Sequence, residues 1–193
     1  MMLRSLLPLG LALVVTGCAS TPAPVNAPAP PPNPKVGGVA MIETWSAVDN
    51  ARAAPPLATF ARAIDAAGLA DTLAAPGPVT VFAPTDAAFG RLAPGTLDEL
   101  LRPENKPALV KLVTYHVVPG RLTIADLEAK IAAGGGTATL TTVEGEPLTL
   151  GLVNQVIALT DVAGNKSYVE TGDIREANGM MHVVNGIMIP TID

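Results

Sequence analysis

The spacing of the apolar residues changes once along this chain, near residue 135, and this change limits the possible folds more than any other feature. Before it, apolar side chains recur every three or four residues, as on one face of a helix. One such stripe ends before Gly68, a residue type common at helix C-termini, and comprises Leu57, Phe60, Ala61, Ile64 and Ala67. From 137 to 192, apolar and polar residues alternate as they do in strands. Helices followed by antiparallel strands indicate an α+β fold rather than a doubly wound sheet.

Turn residues divide the helical half into separate elements. Residues 79–82 form a short run of β-branched and aromatic residues, which predicts a buried strand. Thr85 predicts the cap of a short helix that runs through Phe89. Residues 104–117 predict a longer helix, and Thr123 predicts the cap of another that ends in a run of three glycines.

The second half predicts two hairpins and a final strand. Residues 139–143 and 147–152 flank a short loop that contains Gly, which is typical of a hairpin. Residues 156–162 and 167–174 predict the next hairpin. An Asn-Gly pair then precedes the last predicted strand, at residues 181–189.

The composition limits the function as well as the fold. The 193 residues suffice for one domain of about 150 residues with some chain to spare. The net charge is −5 and Lys and Arg form no cluster, so we expect no nucleic-acid partner. One Cys and two His argue against a zinc site, and no serine lies in a G-x-S-x-G motif. We therefore expect a protein that is not an enzyme and that has no metal or other cofactor.

Residues 1–17 have the pattern of a signal peptide. Arg4 precedes an apolar run of roughly ten residues, whereas a bilayer-spanning helix needs about 20. The run ends in Val15-Thr16-Gly17-Cys18, which resembles the bacterial lipobox, whose Cys receives a diacylglycerol through a thioether bond. Two or three acyl chains would anchor the protein stably in a membrane. We therefore predict lipidation at Cys18; the alternative is an ordinary signal peptide that is cut near Ala19 and removes Cys18.

Residues 18–38 are predicted to be a lipid-anchored linker. Seven of the 20 residues from 19 to 38 are Pro, which is incompatible with the interior of a helix or a sheet. We expect an extended spacer that holds a domain of residues 39–193 several nanometres from the membrane. Ala19, in place of Asp, resembles the sorting signal for the outer membrane of Gram-negative bacteria. These features predict an exported protein that is anchored in the cell envelope.

Three segments of the predicted domain together resemble the fasciclin domain family. They are residues 80–89 (TVFAPTDAAF), residues 115–120 (YHVVPG) and the segment from residue 178 (NGMMHVVN) to Pro190. Their order and spacing match the family across residues 39–193. The resemblance implies a wedge-like β-sandwich with packed helices. It also implies a function in adhesion or ligand binding, with a protein or glycan partner at the cell surface. The alternative is a carrier for a small apolar ligand such as a carotenoid or lipid.

Two pairs of residues within these segments are candidates for contact with a partner. Tyr115 and His116 stand at a predicted helix end before a Pro-Gly turn, and the polar tip of Tyr115 needs water or a partner. Thr85 and Asp86 are the second pair, for which the alternative is a role as helix caps. The other motif residues are predicted to be structural: Phe82, Phe89, His182, Asn178 and Gly179.

Overall fold

The structure is a computed structural model that describes residues 30–191. It opens with a hairpin of β1 (Lys35–Val36) and β2 (Val39–Ala40). Asn33, just before β1, donates from Nδ2 to the Arg175 carbonyl (2.7 Å) and accepts from the Arg175 N–H (3.0 Å). Residues 33–38, which we assign to the linker, therefore pack onto the domain. The predicted signal peptide, Cys18 and the linker up to residue 29 lie outside the described residues.

The α-helices concentrate in the first half, and caps fix their ends. Gly68 ends the second helix in the left-handed conformation with φ of 72°. The Thr85 hydroxyl accepts from the Ala88 N–H at the start of the fourth, and Thr123 forms a capping box with Asp126 at the start of the seventh. The α-helices of residues 30–191 are α1 (Ala47–Ala53), α2 (Ala58–Ala67), α3 (Ala70–Ala74), α4 (Asp86–Phe89), α5 (Thr96–Leu100), α6 (Lys106–Tyr115) and α7 (Ile124–Ala133).

The larger sheet has seven strands in the order β4-β3-β9-β8-β7-β6-β5. Its members are β3 (Val79–Pro84), β4 (Val117–Pro119), β5 (Thr137–Thr141), β6 (Pro147–Val153), β7 (Val156–Thr160), β8 (Lys166–Glu176) and β9 (Gly179–Val184). Only β3 and β9 are parallel among the paired strands of this sheet. The predicted α+β fold, with helices first and antiparallel strands second, is confirmed.

Several element boundaries differ from the sequence prediction by a few residues, and two of these differences have a clear structural cause. The helix predicted through residue 117 ends at Tyr115, because Val117 and Val118 pair with β3 as strand β4. The last strand ends at Val184 rather than at residue 189. There the chain turns, and the Ser167 hydroxyl bonds to both backbone groups of Gly186: the N–H donates to Oγ (3.0 Å), and Oγ donates to the carbonyl (2.9 Å).

β8 folds the sheet back on itself. Its first three residues pair with β7, whereas the rest of the strand pairs with β9. Register irregularities interrupt β8 between Val169 and Ile174, and Asp173 within them has φ of 57°. Such irregularities bend a strand and increase its twist. The Val143 N–H donates to the Val117 carbonyl (2.7 Å), so strand β4 contacts the chain just beyond β5.

The core consists of two apolar clusters on opposite faces of β3. Val81 and Ala83 belong to a cluster with α1, α2 and α6. Phe82, which points to the other face, belongs to a cluster with α7 and the strands β5 to β7. β9 is buried along its whole length, as expected for a central strand that is covered on both faces. Within residues 30–191, no helix has the length and apolar character that a membrane span requires.

Candidate functional site

Tyr115 is the last residue of α6, and its side chain is buried. The hydroxyl donates to the Pro147 carbonyl (2.9 Å) at the start of β6 and accepts from the Val162 N–H (3.2 Å) just beyond β7. Burial is the main cause that raises the pKa of Tyr115 to about 12. The Tyr115 hydroxyl therefore has both of its hydrogen-bond partners inside the domain. It joins the end of α6 to the start of β6 and to the β7–β8 turn.

His116 follows Tyr115 and is also buried. The Met188 N–H donates to Nε2 (3.1 Å), so Nε2 carries no proton; Nδ1 must then donate to the Leu112 carbonyl (2.8 Å). The Phe60 ring lies 6.1 Å from the imidazole, measured between ring centroids. Burial lowers the pKa of His116 to about 4. The imidazole is therefore neutral at physiological pH, and both of its nitrogens are occupied.

Asp161 lies in the turn between β7 and β8 and is buried. Oδ1 accepts from the N–H groups of Ala163 (3.0 Å) and Asn165 (2.8 Å), which closes the turn. Oδ2 accepts from the Asn165 side chain and from the Ile189 N–H, both at 2.9 Å. From the sequence, Gly164 and Asn165 predict a hairpin turn, and Asp161 with Asn165 is too sparse for a calcium-binding loop. No local sequence signal points to Ile189, because that contact joins residues 28 positions apart.

Tyr115, His116 and Asp161 act together on the backbone of distant segments, and we call them the C-terminal clamp. His116 and Asp161 hold two successive N–H groups after β9, while Tyr115 holds the β7–β8 turn. A buried N–H without a partner is costly, so each of these bonds fixes the position of its segment. The described contacts of Tyr115 and His116 are thus internal, and their predicted contact with a partner stays a prediction.

Thr85 and Asp86 cap two different helices. The Thr85 hydroxyl accepts from the Ala88 N–H (3.3 Å) at the start of α4. The Asp86 carboxylate accepts from the Thr59 N–H (2.8 Å) in the first turn of α2. Thr85 is buried and Asp86 is partly exposed. The observed contacts fit the alternative role as caps, and the predicted contact of this pair with a partner stays a prediction.

Phe82 and His182 are neighbours on the parallel strands β3 and β9. Their rings stack with centroids 5.6 Å apart and planes inclined by 28°. The Asp173 N–H donates to Nδ1 of His182 (3.2 Å), so Nε2 donates to the Leu122 carbonyl (2.8 Å). Burial lowers the pKa of His182. Phe89 is also buried, in the cluster against the helices, so all three side chains have structural contacts.

Asn178 directly precedes β9, and Gly179 is the first residue of this strand. The Asn178 amide donates to the carbonyls of Leu73 and Ala75, the latter at 3.1 Å. A Cβ on Gly179 would lie 1.8 Å from the Val79 carbonyl oxygen, so no larger residue fits between the two strands. The Asn-Gly pair is therefore a packing requirement of the parallel strand pair.

The described site offers structural contacts rather than reactive groups. Both histidines are buried and hydrogen-bonded at each ring nitrogen. Residues 30–191 hold no group of three or more His, Cys, Asp or Glu side chains that could bind a metal ion. Because these histidine side chains are buried, a partner would contact other side chains, which lie on the surface of the domain. The large apolar side chains exposed on this surface are Ile42, Trp45, Val143, Leu152, Val156 and Val162.

The fold places the protein in a structural class. It matches the structure of a FAS1 domain pair from the insect cell adhesion molecule Fasciclin I with a TM-score of 0.66. The match covers 81% of this chain and 52% of that chain at 16% sequence identity. At this identity the likeness shows the fold alone: the chain is an α+β domain of the FAS1 type.

Sequence comparison then gives the family. The family model of the Fasciclin domain matches residues 55–190, so the chain belongs to the fasciclin domain family. It is 37% identical to Protein sll1483 of Synechocystis over 155 residues, which cover 80% of this chain and 79% of that protein. It is 31% identical to human periostin over 132 residues, which cover 68% of this chain but only 14% of periostin. The resemblance found in the three sequence segments is confirmed.

Proposed function

We propose that this protein is a lipid-anchored component of the cell envelope whose fasciclin domain mediates adhesion to a partner at the cell surface. The observation that carries the proposal is membership of the fasciclin domain family together with the fold of a cell adhesion molecule. A domain with this role must present a defined surface and needs no reactive group.

The C-terminal clamp supports this role by fixing the loops at one end of the sheet. Tyr115 bonds to the backbone of Val162 and Pro147, which belong to the β7–β8 turn and the start of β6. The exposed side chain of Val162 lies in the β7–β8 turn, and that of Val143 lies in the β5–β6 loop, which leads to Pro147. Loops that are held in place lose little conformational entropy when they bind, so preorganisation favours affinity.

The proposed anchor is the lipid at Cys18, followed by the Pro-rich linker. Removal of residues 1–17 takes away Arg4 and no acidic residue, so the net charge changes from −5 to −6. A mature protein of this charge is not attracted to anionic lipid head groups, and membrane attachment would depend on acyl chains. We place the protein in the outer membrane because Ala19 follows the modified Cys.

A role as carrier of a small apolar ligand has no comparable support. The main concavities on residues 30–191 hold about 220 to 490 Å³ and open to solvent, and each is lined in part by a charged side chain. A carotenoid or lipid site requires an extended apolar lining.

Mass spectrometry of the mature N-terminus, combined with membrane fractionation, tests the anchor. The proposal predicts a protein that begins at Cys18, carries acyl chains and sediments with the outer membrane. The Cys18→Ser variant should leave the membrane fraction, while Ser20→Ala, two residues away, should remain there. A mature wild-type protein that begins after Cys18, or that carries no acyl chain, would contradict the anchor.

A further inference from the structure

Trp45 is the only tryptophan of the chain, and 40% of its surface is exposed. Together with Asp49, Arg52 and Ala53 it lines a shallow concavity of about 380 Å³. This size lies in the range of sites for small organic ligands, about 300–1,000 Å³. A large aromatic side chain at such a place requires an explanation, because aromatics make up only 3% of the sequence and mostly fill the core.

The backbone around Trp45 is well fixed. Its N–H donates to the Ile42 carbonyl (3.1 Å), and its carbonyl accepts from the Ala177 N–H (2.9 Å) at the end of β8. The next residue, Ser46, caps α1. Asp49 and Arg52 lie on the first and last turns of α1, so a turn and one helix face form the walls of the concavity.

The two charged side chains keep hydrogen-bonding capacity toward the concavity. Asp49 accepts from the Ser46 hydroxyl at Oδ2 (2.7 Å), and its Oδ1 lies 3.8 Å from Nη1 of Arg52. Arg52 pairs with Asp65 through Nη2. About half of the Asp49 and Arg52 side-chain surface is exposed. A guanidinium has five N–H donors and a carboxylate about four acceptor positions, so donors and acceptors remain for a ligand.

We propose that this concavity is a saccharide-binding subsite for a neutral glycan of pyranose rings with equatorial hydroxyls, with Trp45 as the stacking platform. Pyranose rings with equatorial hydroxyls present flat C–H faces to an aromatic ring and a rim of hydroxyls that both donate and accept. Asp49 and Arg52 supply the matching acceptors and donors, and their opposite charges give no preference for a charged ligand. The inference deepens the proposed adhesion function, on which it rests, by naming the ligand class of one surface.

A protein partner fits this surface less well. Stable protein interfaces bury about 800 Å² on each side, around a core of several apolar anchors. Here Ile42 is the other large exposed apolar side chain near Trp45 in sequence. The remaining ones within the described part of the chain belong to the β5–β8 region.

Titration of the tryptophan fluorescence tests the proposal directly, since Trp45 is the only source of this signal. The full-length protein, in a detergent without sugar head groups, is titrated with cellohexaose and chitohexaose. We expect saturable quenching or a spectral shift with at least one of them. We expect a weaker effect from β-linked mannohexaose, whose rings carry an axial hydroxyl.

Variants then assign the binding, with calorimetry as the readout. Trp45→Ala should lower the affinity by about tenfold or more, Trp45→Phe should retain part of it, and Arg52→Gln should lower it without removing the platform. Leu152→Ala is the matched control, because Leu152 is 47% exposed but lies on β6. Circular dichroism checks that each variant is folded.

Either of two results would overturn the subsite: no response to any hexasaccharide, or binding that Trp45→Ala and Arg52→Gln leave unchanged. If no hexasaccharide binds but the wild-type protein still mediates adhesion, the subsite is wrong while the adhesion function stands. If saccharide binding depends on Trp45 but deletion of the gene leaves cell attachment unchanged, the adhesion function is wrong while the subsite stands.

Discussion

Glu176 gives the sharpest stability prediction, because the fold buries its carboxyl group with a single side-chain hydrogen bond to offset the loss of hydration. It ends β8 and is 1% exposed. Its Oε1 accepts from the Asn50 amide at 3.3 Å, and its Oε2 has no hydrogen-bond partner. Arg121 donates to the backbone carbonyl of Glu176 rather than to its carboxylate. Burial therefore raises the pKa of Glu176 to about 8, against the small opposing effects of Asn50 and Arg121.

The sign of the effect follows from proton binding. Between pH 4.5, the ordinary pKa, and pH 8, the folded state holds the Glu176 proton while the unfolded state releases it. Stability due to this group is therefore present below the unfolded pKa and is lost as the pH rises through the folded pKa. The shift corresponds to about 5 kcal/mol, a large part of the 5–15 kcal/mol that stabilises a typical domain.

The test measures the urea unfolding of wild type and of Glu176→Gln at a series of pH values, with circular dichroism as the signal for unfolding. The variant keeps the shape of the side chain but never carries its charge. Its stability relative to wild type should increase by several kcal/mol between about pH 5 and about pH 9. Glu170→Gln, an exposed position on the same strand, is the control and should show no such increase. A difference between Glu176→Gln and wild type that stays constant with pH would refute the reasoning.

The other predictions concern the C-terminal clamp and the parallel strand pair. Tyr115→Phe removes the shared partner of the part-buried Val162 N–H and Pro147 carbonyl and should lower the free energy of unfolding by about 1 kcal/mol, as urea unfolding would show. His116, whose pKa burial lowers to about 4, should stay neutral in NMR titrations down to that pH and keep its bond from the Met188 N–H. Ordinary titration near 6.5 would contradict the clamp. The same group should reduce stability as the pH falls from 6.5 to 4. Gly179→Ala should destabilise the domain by about 3 kcal/mol or more, whereas Gly90→Ala, where a Cβ has room, should have little effect. Urea unfolding midpoints that are equal for the two variants would rule out the steric argument.

Local chemistry explains what could be predicted from the sequence. The end of α2 at Gly68, the cap by Thr85 and the capping box at Thr123 each depend on residues within one turn of the helix end. The hairpins from residue 137 onward likewise join neighbouring segments. These elements, with the three family segments, suffice to indicate the α+β fold.

Contacts between distant segments explain what could not be predicted. The parallel pairing of β3 with β9 brings Phe82 next to His182, 100 positions further along the chain. Asp161 reaches Ile189, and the Glu176 carboxylate meets the Asn50 amide, 126 positions earlier in the chain. Tyr115 and His116 were candidates because polar groups at a helix end need partners. Those partners are backbone groups from three other segments, which no local pattern reveals.

Cell attachment, measured in the source organism after deletion of the gene, decides whether this is an anchored adhesion protein. Loss of the protein should reduce attachment to a surface or to neighbouring cells, and the wild-type gene should restore it. The Cys18→Ser variant should not restore attachment, although its domain folds. Normal attachment by the deletion strain, or full restoration by Cys18→Ser, would contradict the proposed role.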